Sequence, residues 1–162
     1  MTNNIHPLNT SWVLWYHNPI DKNWNKESYL EISNIKTVEK FWLIYDSISS
    51  SQIENGMFFI MRENIFPRWE DEKNKNGGCW SFKIPKNNVY NVWMDLCISL
   101  IGENLMKNIK NTMDINGVSI SPKKGFSIIK IWNSNNKNND KSLLTKNISF
   151  LDIESCFYKT HQ

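Results

Sequence analysis

Eight tryptophans, Trp12, Trp15, Trp24, Trp42, Trp69, Trp80, Trp93 and Trp132, constrain what this chain of 162 residues can fold into. Trp12, Trp15, Trp80 and Trp93 stand in strand-like or helix-like runs beside other apolar residues and read as core. Trp132 closes a strand-like run, at a rim where a side chain can face either way. Trp24 and Trp69 differ. One follows the polar turn Asn18-Pro19-Ile20-Asp21-Lys22-Asn23, and the other lies in Phe66-Pro67-Arg68-Trp69-Glu70-Asp71-Glu72. A large apolar ring is out of place in such loops unless it meets something.

The remaining pattern is of strands interrupted by helices. Ser11–Tyr16, Met57–Arg62 and Cys79–Ile84 are short, aromatic and β-branched, which predicts strands. Gly117–Ile120 and Phe126–Trp132 read as a hairpin through Ser121-Pro122-Lys123-Lys124-Gly125, and Cys156–Thr160 as a last strand. Thr37–Ile48 places Val38, Phe41, Trp42 and Tyr45 at helical offsets, with Thr37 as N-cap. Val89–Leu105 reads as a second helix and Lys141–Ile153 as a short third, after a polar linker over Asn133–Asp140. There is no strict βαβ alternation, so the expectation is α+β with a largely antiparallel sheet, in one domain over residues 1–162.

Composition narrows the function. A net charge of +3 is too small for a protein that grips a long polyanion by charge alone, so any nucleic-acid contact is expected to be short and to depend on stacking. No apolar run approaches a membrane span, and no signal-peptide pattern opens the chain. Cys79, Cys97 and Cys156 are scattered and lack metal-ligand spacing, which points to a reducing cytoplasmic or nuclear compartment, with no metal and no cofactor. His6, His17 and His161 are far apart, no Gly-rich phosphate loop occurs, and Gly77-Gly78 argues against a metal-binding helix of glutamates after Glu70. An enzyme is therefore not expected.

Two loop tryptophans can sandwich a planar base, and stacking on an aromatic is worth roughly 1–3 kcal/mol per base. A cationic, N7-methylated guanine adds a cation–π contribution of about 0.5–2 kcal/mol per ring. The Glu70 carboxylate beside Trp69 suits the N1–H and exocyclic amine of guanine, a donor pair that adenine lacks.

The sequence resembles the translation initiation factor 4E family, which binds the cap of messenger RNA. The resemblance is carried by His6-Pro7-Leu8 with Trp12 and Leu14-Trp15, by Thr37-Val38-Glu39 with Phe41-Trp42, by Pro67 with Trp69-Glu70-Asp71-Glu72-Lys73-Asn74-Lys75 and Gly77-Gly78, and by Leu100-Ile101-Gly102-Glu103. It implies a cupped antiparallel sheet with three helices across its convex back. It also implies Trp24 and Trp69 as the stacking pair, Glu70 as acceptor for the guanine edge and Trp132 as the wall against the methyl group. On the helical face, His6, Pro7, Val38, Trp42, Met94, Asp95, Ile98, Gly102 and Glu103 would form a groove for a partner helix bearing a tyrosine and a leucine. The partner would be a scaffold initiation factor of the 4G type, or a repressor with a similar motif, bound to a monomer of this chain. Repressive relatives tend to replace the residues at 12 and 24, so tryptophan at both favours initiation over a decoy that sequesters capped messages.

The phosphate grip departs from the family pattern. Where an arginine is expected just before Trp80 stands Cys79. Lys123 or Lys124 takes a first basic role in the hairpin, Ser127 or Ile128 occupies the second, and Lys130 is displaced toward Trp132. Arg68 offers compensating charge. The family pattern continues past the region of Tyr158–Gln162 into a flexible loop over the second nucleotide, and the resemblance leads to the expectation that this loop is absent or remodelled here.

Overall fold

The structure, a computed structural model, describes residues 4–162. Seven antiparallel strands form one curved sheet: β1 Pro7–His17, β2 Tyr29–Thr37, β3 Met57–Arg62, β4 Gly78–Pro85, β5 Ile115–Pro122, β6 Phe126–Asn133 and β7 Phe157–Thr160. Their spatial order is β2-β1-β3-β5-β6-β4-β7. Three α-helices pack on the convex face: α1 Val38–Ser47, α2 Ser50–Asn55 and α3 Lys86–Ile101.

The period-two alternation of the strands creates two apolar layers. Trp12 and Leu14 of β1, Phe58 and Ile60 of β3, Trp80, Phe82 and Ile84 of β4, Val118 and Ile120 of β5, and Ile129 and Ile131 of β6 point to the helices. There they meet Phe41, Ile53 and the buried stripe Val89, Val92, Trp93, Leu96 and Leu100 of α3. Truncating a fully buried ring such as Trp80 in this layer costs about 3–5 kcal/mol. A smaller cluster, Phe59, Met61, Ile65, Cys79 and Trp132, forms on the concave face, with Trp15, Tyr29 and Met57 packed against it. Trp15 thus belongs to the concave floor, edge-on to Phe66 at 5.0 Å, rather than to the helical core.

Thr37 caps α1 as expected, its Oγ1 accepting from the Lys40 N–H at 3.1 Å. Two elements were not anticipated. The edge strand β2 hides its pattern because its extra residue Ile32, bulged opposite the step from Leu14 to Trp15, shifts the phase, leaving Leu30 and Ile32 exposed while Ile35 is buried. Helix α2 opens with a capping box, Ser49 and Gln52 bonding reciprocally.

The helix expected over Lys141–Ile153 does not form, and the third helix of the convex face is α2 instead. The segment holds only two 3₁₀ turns, Lys141–Leu143 and Ile153–Ser155. Its Leu144, Ile148 and Leu151 do bury, but the backbone pairs with residues 105–107: Thr145 N–H donates to Leu105 O at 2.8 Å, and Lys107 N–H to Leu143 O at 2.9 Å. Phe150 adopts φ 61°, a left-handed conformation that no helix interior accommodates. The helix α3 also starts three residues before Val89 and ends at Ile101.

The polar stretch after β6 is not a free linker. Asn133 is fully buried, and its Nδ2 donates to Asn135 O and Asn138 O at 3.0 and 2.9 Å, while its Oδ1 accepts from Tyr158 Oη at 2.7 Å. Gly77 and Gly78 are needed at this crossing. A Cβ on Gly77 would lie 1.8 Å from Asn133 O, and one on Gly78 2.3 Å from Lys159 O.

Candidate functional site

The concave face carries a cavity of about 540 Å³. Its floor is Met57 and Phe59 of β3, Ser119 and Ser121 of β5, and Ile128, Lys130 and Trp132 of β6. Trp24 closes one side, and Lys123, Phe157 and Lys159 the others. An adjoining opening of about 340 Å³ is lined by Trp69, Cys79 and His161, and it shares Ser81, Lys130, Trp132 and Lys159 with the first. Trp24 and Trp69 therefore stand on either side of a common wall, each 46% exposed.

Each ring is held by local structure. The Trp24 indole lies parallel to the His17 imidazole, centroids 4.0 Å apart and planes 4° apart. His17 is fully buried, and its Nε2 donates to Asn23 O at 2.8 Å. One face of Trp24 is thereby covered and the other turns to the cavity.

Trp69 and Glu70 sit on a loop knotted around Asn74, which is fully buried. Asn74 Nδ2 donates to Phe66 O and Arg68 O at 3.0 and 2.8 Å, and Asn116 Nδ2 donates to Asn74 Oδ1 at 2.9 Å. Asp71 accepts from the backbone N–H of Phe66 and of Lys73. The acidic run is thus divided by role: Asp71 shapes the loop, Glu72 pairs with Lys75, and Glu70 is left half-exposed.

Arg68 Nη2 meets Glu70 Oε1 at 2.8 Å. The guanidinium faces that carboxylate and a side opening with Lys26, Phe66, Asp71 and Glu72, not the cavity that Lys123 and Lys130 line. Lys124 is exposed at the hairpin tip beside Gly125, whose φ of 79° makes the turn, and does not line the cavity.

Trp132 is buried, its Nε1 donating to Ser119 Oγ at 3.0 Å and its ring edge-on to Phe59 at 6.4 Å. Cys79 lies beneath it, and burial pushes its thiol up to about 12. His161 stands over that thiol, Nε2 to Sγ 3.8 Å, and 5.1 Å from the Trp132 ring. Burial, then the charge of Lys130, lower the His161 imidazole below its ordinary value.

On the opposite face Val38, Trp42 and Leu43 of α1 and Ile98 of α3 are exposed, although apolar. Trp42 is 44% exposed and rests edge-on against Phe41 and Tyr45. Tyr45 and Tyr90, 6.5 Å apart, join the two helices; Met94 is buried in the core, and Asp95 is half-buried. His6 and Pro7 border α1: His6 Nδ1 meets Glu39 Oε1 at 2.6 Å, and His6 O accepts the Val38 N–H at 2.9 Å. The hydrogen bond from His6 holds the Glu39 carboxyl down to about 2.

Gly102 ends α3, and Glu103, at φ 59°, turns its carboxylate inward. There Arg62 grips it in two prongs of 2.7 and 2.8 Å, while the guanidinium stacks over Trp12 at 4.3 Å. Glu103 is thus committed inside the fold. His17, Asn74, Lys159 and His161 escaped the sequence reading. Only Lys159 left a local trace, its position two after Phe157 on an alternating strand.

Fold and cavity define a class: an open antiparallel cup, aromatic on its floor and rimmed by cations, with helices across its back. The family profile for eukaryotic initiation factor 4E matches residues 7–162. The initiation factor 4E of Saccharomyces cerevisiae is 33% identical over 147 residues, covering 87% of this chain and 66% of that protein. The chain thus spans just under two thirds of that relative's length. The structure of C. elegans eIF4E-3 in complex with the 4E-binding protein Mextli and a cap analog superposes with a TM-score of 0.84 at 26% identity, covering 98% of this chain and 94% of that one. The schistosome eIF4E complexed with m7GpppA and 4E-BP gives a TM-score of 0.74 at 25% identity, covering 83% and 74%. The chain belongs to the eukaryotic initiation factor 4E family.

Proposed function

We propose that this chain binds the N7-methylguanosine cap of messenger RNA in its concave cavity and captures a helix of a scaffold protein on its convex side to begin translation. It acts as a binding factor, not an enzyme, in the cytoplasm, as a monomeric single domain. The observation that carries the reading is the pair of half-exposed rings, Trp24 lining the cavity and Trp69 the opening that adjoins it, with Trp132 shared by both and Glu70 next in chain to Trp69.

A methylated guanine entering between the rings stacks on the free face of Trp24, whose other face is already occupied by His17. The Glu70 carboxylate accepts from the guanine edge, which requires Arg68 to swing away or to share it. That exposed pair is worth at most about 1 kcal/mol, less than the charge-assisted bonds gained, which run about 1.5–3 kcal/mol. Lys123 and Lys130 face the phosphates from the rim.

Trp42, Val38 and Ile98 present apolar anchors of the kind an amphipathic helix docks on, with Asp95 beside them for a basic residue. The chemistry of that helix, a tyrosine and a leucine, would suit either a scaffold of the 4G type or a competing repressor.

The experiment is equilibrium binding of methylated against unmethylated guanosine triphosphate, followed by capture of a scaffold-helix peptide. A preference for the methylated base of about tenfold or more supports the pocket. Equal affinity for the two would overturn it, and cap binding with no capture of scaffold peptide would make the chain a decoy.

A further inference from the structure

Lys130 of β6 and Lys159 of β7 lie on either side of β4. Lys130 is in register with Ser81 and Lys159 with Cys79, so the two lysines are diagonal neighbours across that strand. Both line the central cavity and the adjoining opening, where His161 joins them. No aspartate or glutamate lines either space, and among the described residues neither lysine is in an ion pair. Cations gathered on one wall with no acid among its lining residues repel one another, and an anion between them relieves that repulsion.

His161 is fixed by its backbone, whose N–H donates to Gly77 O at 3.0 Å. Three titratable or charged groups face its ring: Lys130 from β6, the thiol of Cys79 from β4, and Glu70 from the loop before β4. Burial and Lys130 favour the neutral imidazole, while Glu70 acts in the opposite direction. A phosphate in the same space adds negative charge beside the ring and reverses that balance.

We propose that Lys130, Lys159 and His161 form a polyphosphate-binding wall in this cavity, and that His161 takes up a proton as the phosphate chain enters. The proposal rests on the reading of the cavity as a cap site and says how its triphosphate is held. Cys79 occupies the floor of this wall with a neutral thiol, where a permanently charged side chain would make a titrating one unnecessary. The grip is thereby made partly conditional on pH.

The test uses the full chain and three ligands: N7-methylguanosine, and two dinucleotides joined 5'–5' through three phosphates, one methylated at N7 and one not. Their bridging phosphates do not titrate near neutrality, and the titration of the methylated base is common to nucleoside and dinucleotide, so it drops out of the ratio of their affinities. From about pH 8 to about pH 6 that ratio is expected to rise about threefold to tenfold. His161→Gln should flatten the rise between about pH 8 and about pH 6. Lys159→Gln should lower dinucleotide affinity about fivefold at every pH and reduce the slope of log affinity against log salt by about one.

Lys159 is exposed, so an unchanged unfolding temperature in that variant shows that folding is not at issue. A His161→Gln profile as steep as that of the unaltered chain, or an unchanged salt slope in Lys159→Gln, would overturn the wall. Failure of the base pocket would read differently. The two dinucleotides would then bind equally, while the pH and salt responses, which depend on the triphosphate they share, would persist.

Discussion

The imidazole of His17 lies flat beneath the indole of Trp24, 4.0 Å away and 4° from parallel, and it is fully buried. Its Nδ1 is buried without a hydrogen-bond partner among the described residues, so the ring is held by the contacts of its Nε2 with Asn23 O and Ser28 Oγ and by stacking. A half-exposed tryptophan in a polar loop is thereby kept in one orientation before any ligand arrives. Stacked pairs of this kind contribute about 0.5–1.5 kcal/mol beyond area burial.

His17→Ala is expected to weaken binding of methylated guanosine about twofold to tenfold by freeing Trp24, whereas His17→Phe, which restores a flat partner, should remain within about twofold. Titration of nucleoside affinity in both variants checks this. Equal loss in both would mean that the Asn23 hydrogen bond, and not the stack, does the positioning.

Glu70→Gln keeps the shape of the side chain but replaces a charged acceptor with an amide. Affinity for methylated guanosine should fall about tenfold to a hundredfold, and the preference for guanine over adenine should shrink with it. Arg68→Ala should change base affinity by less than about threefold, since its pair with Glu70 is partly exposed. Isothermal titration with N7-methylguanosine and with adenosine separates these outcomes.

Trp42→Ala is expected to abolish capture of a helical partner peptide while leaving cap-analogue affinity within about twofold, because Trp42 is on the face opposite the cavity. The side chain is nearly half exposed, so stability should change by no more than about 1 kcal/mol. Parallel loss of both activities, with a lower melting temperature, would signal general unfolding instead.

Arg62 and Glu103 form a buried two-pronged pair whose remaining hydrogen-bonding groups are satisfied by Thr10, Ile115 O and Thr112 O. Glu103→Gln should destabilise the chain by about 3–5 kcal/mol, since it leaves the guanidinium without its counter-charge. A melting temperature lower by roughly 6–20 °C is the expected readout. Replacing both residues with apolar ones of similar volume should recover part of that loss.

The Cys79 thiol is raised by burial from 9.0 to about 12, so the fold retains a proton that the unfolded chain gives up. That contribution to stability is fully present below about pH 9 and is lost as pH rises from there toward about 12. Denaturant melts of the native chain and of Cys79→Ser across alkaline pH check the sign. Thiol labelling at neutral pH should modify the half-buried Cys156 ahead of Cys79 and Cys97.

Some of this architecture was legible in the chain because it is written in short windows. The strand Met57–Arg62 has the bounds its apolar run announces, and Thr37 caps α1 as a threonine before a helical stripe should. The capping box at Ser49 and Gln52 was equally local, and the run of serines around it was the available signal for α2. The segment over residues 141–153 misled for the opposite reason. Leu144, Ile148 and Leu151 repeat at helical spacing, but pairing with residues 105–107 outweighs that pattern where Thr145, Asn147 and Ser149 offer poor helix propensity.

The site divides along the same line. Residue types alone pointed to a base-stacking loop pair with an adjacent carboxylate, because a tryptophan exposed in a polar loop and a neighbouring acid are visible without knowing the fold. Which groups surround that pair depends on strand order. Setting β4 between β6 and β7 brings Lys130, Cys79 and Lys159 onto one wall, although 80 residues separate Cys79 from Lys159 in the sequence. The turn after β1 lays Trp24 on His17, and the inward turn at Glu103 commits its carboxylate to Arg62. These relationships come from hydrogen-bond register and close packing between distant segments. No local propensity encodes either, so aromatic and acidic chemistry, and by resemblance Lys123 and Lys130, could be read from the chain, while the placing of Lys159 and His161 beside them was decided only by strand order in the sheet.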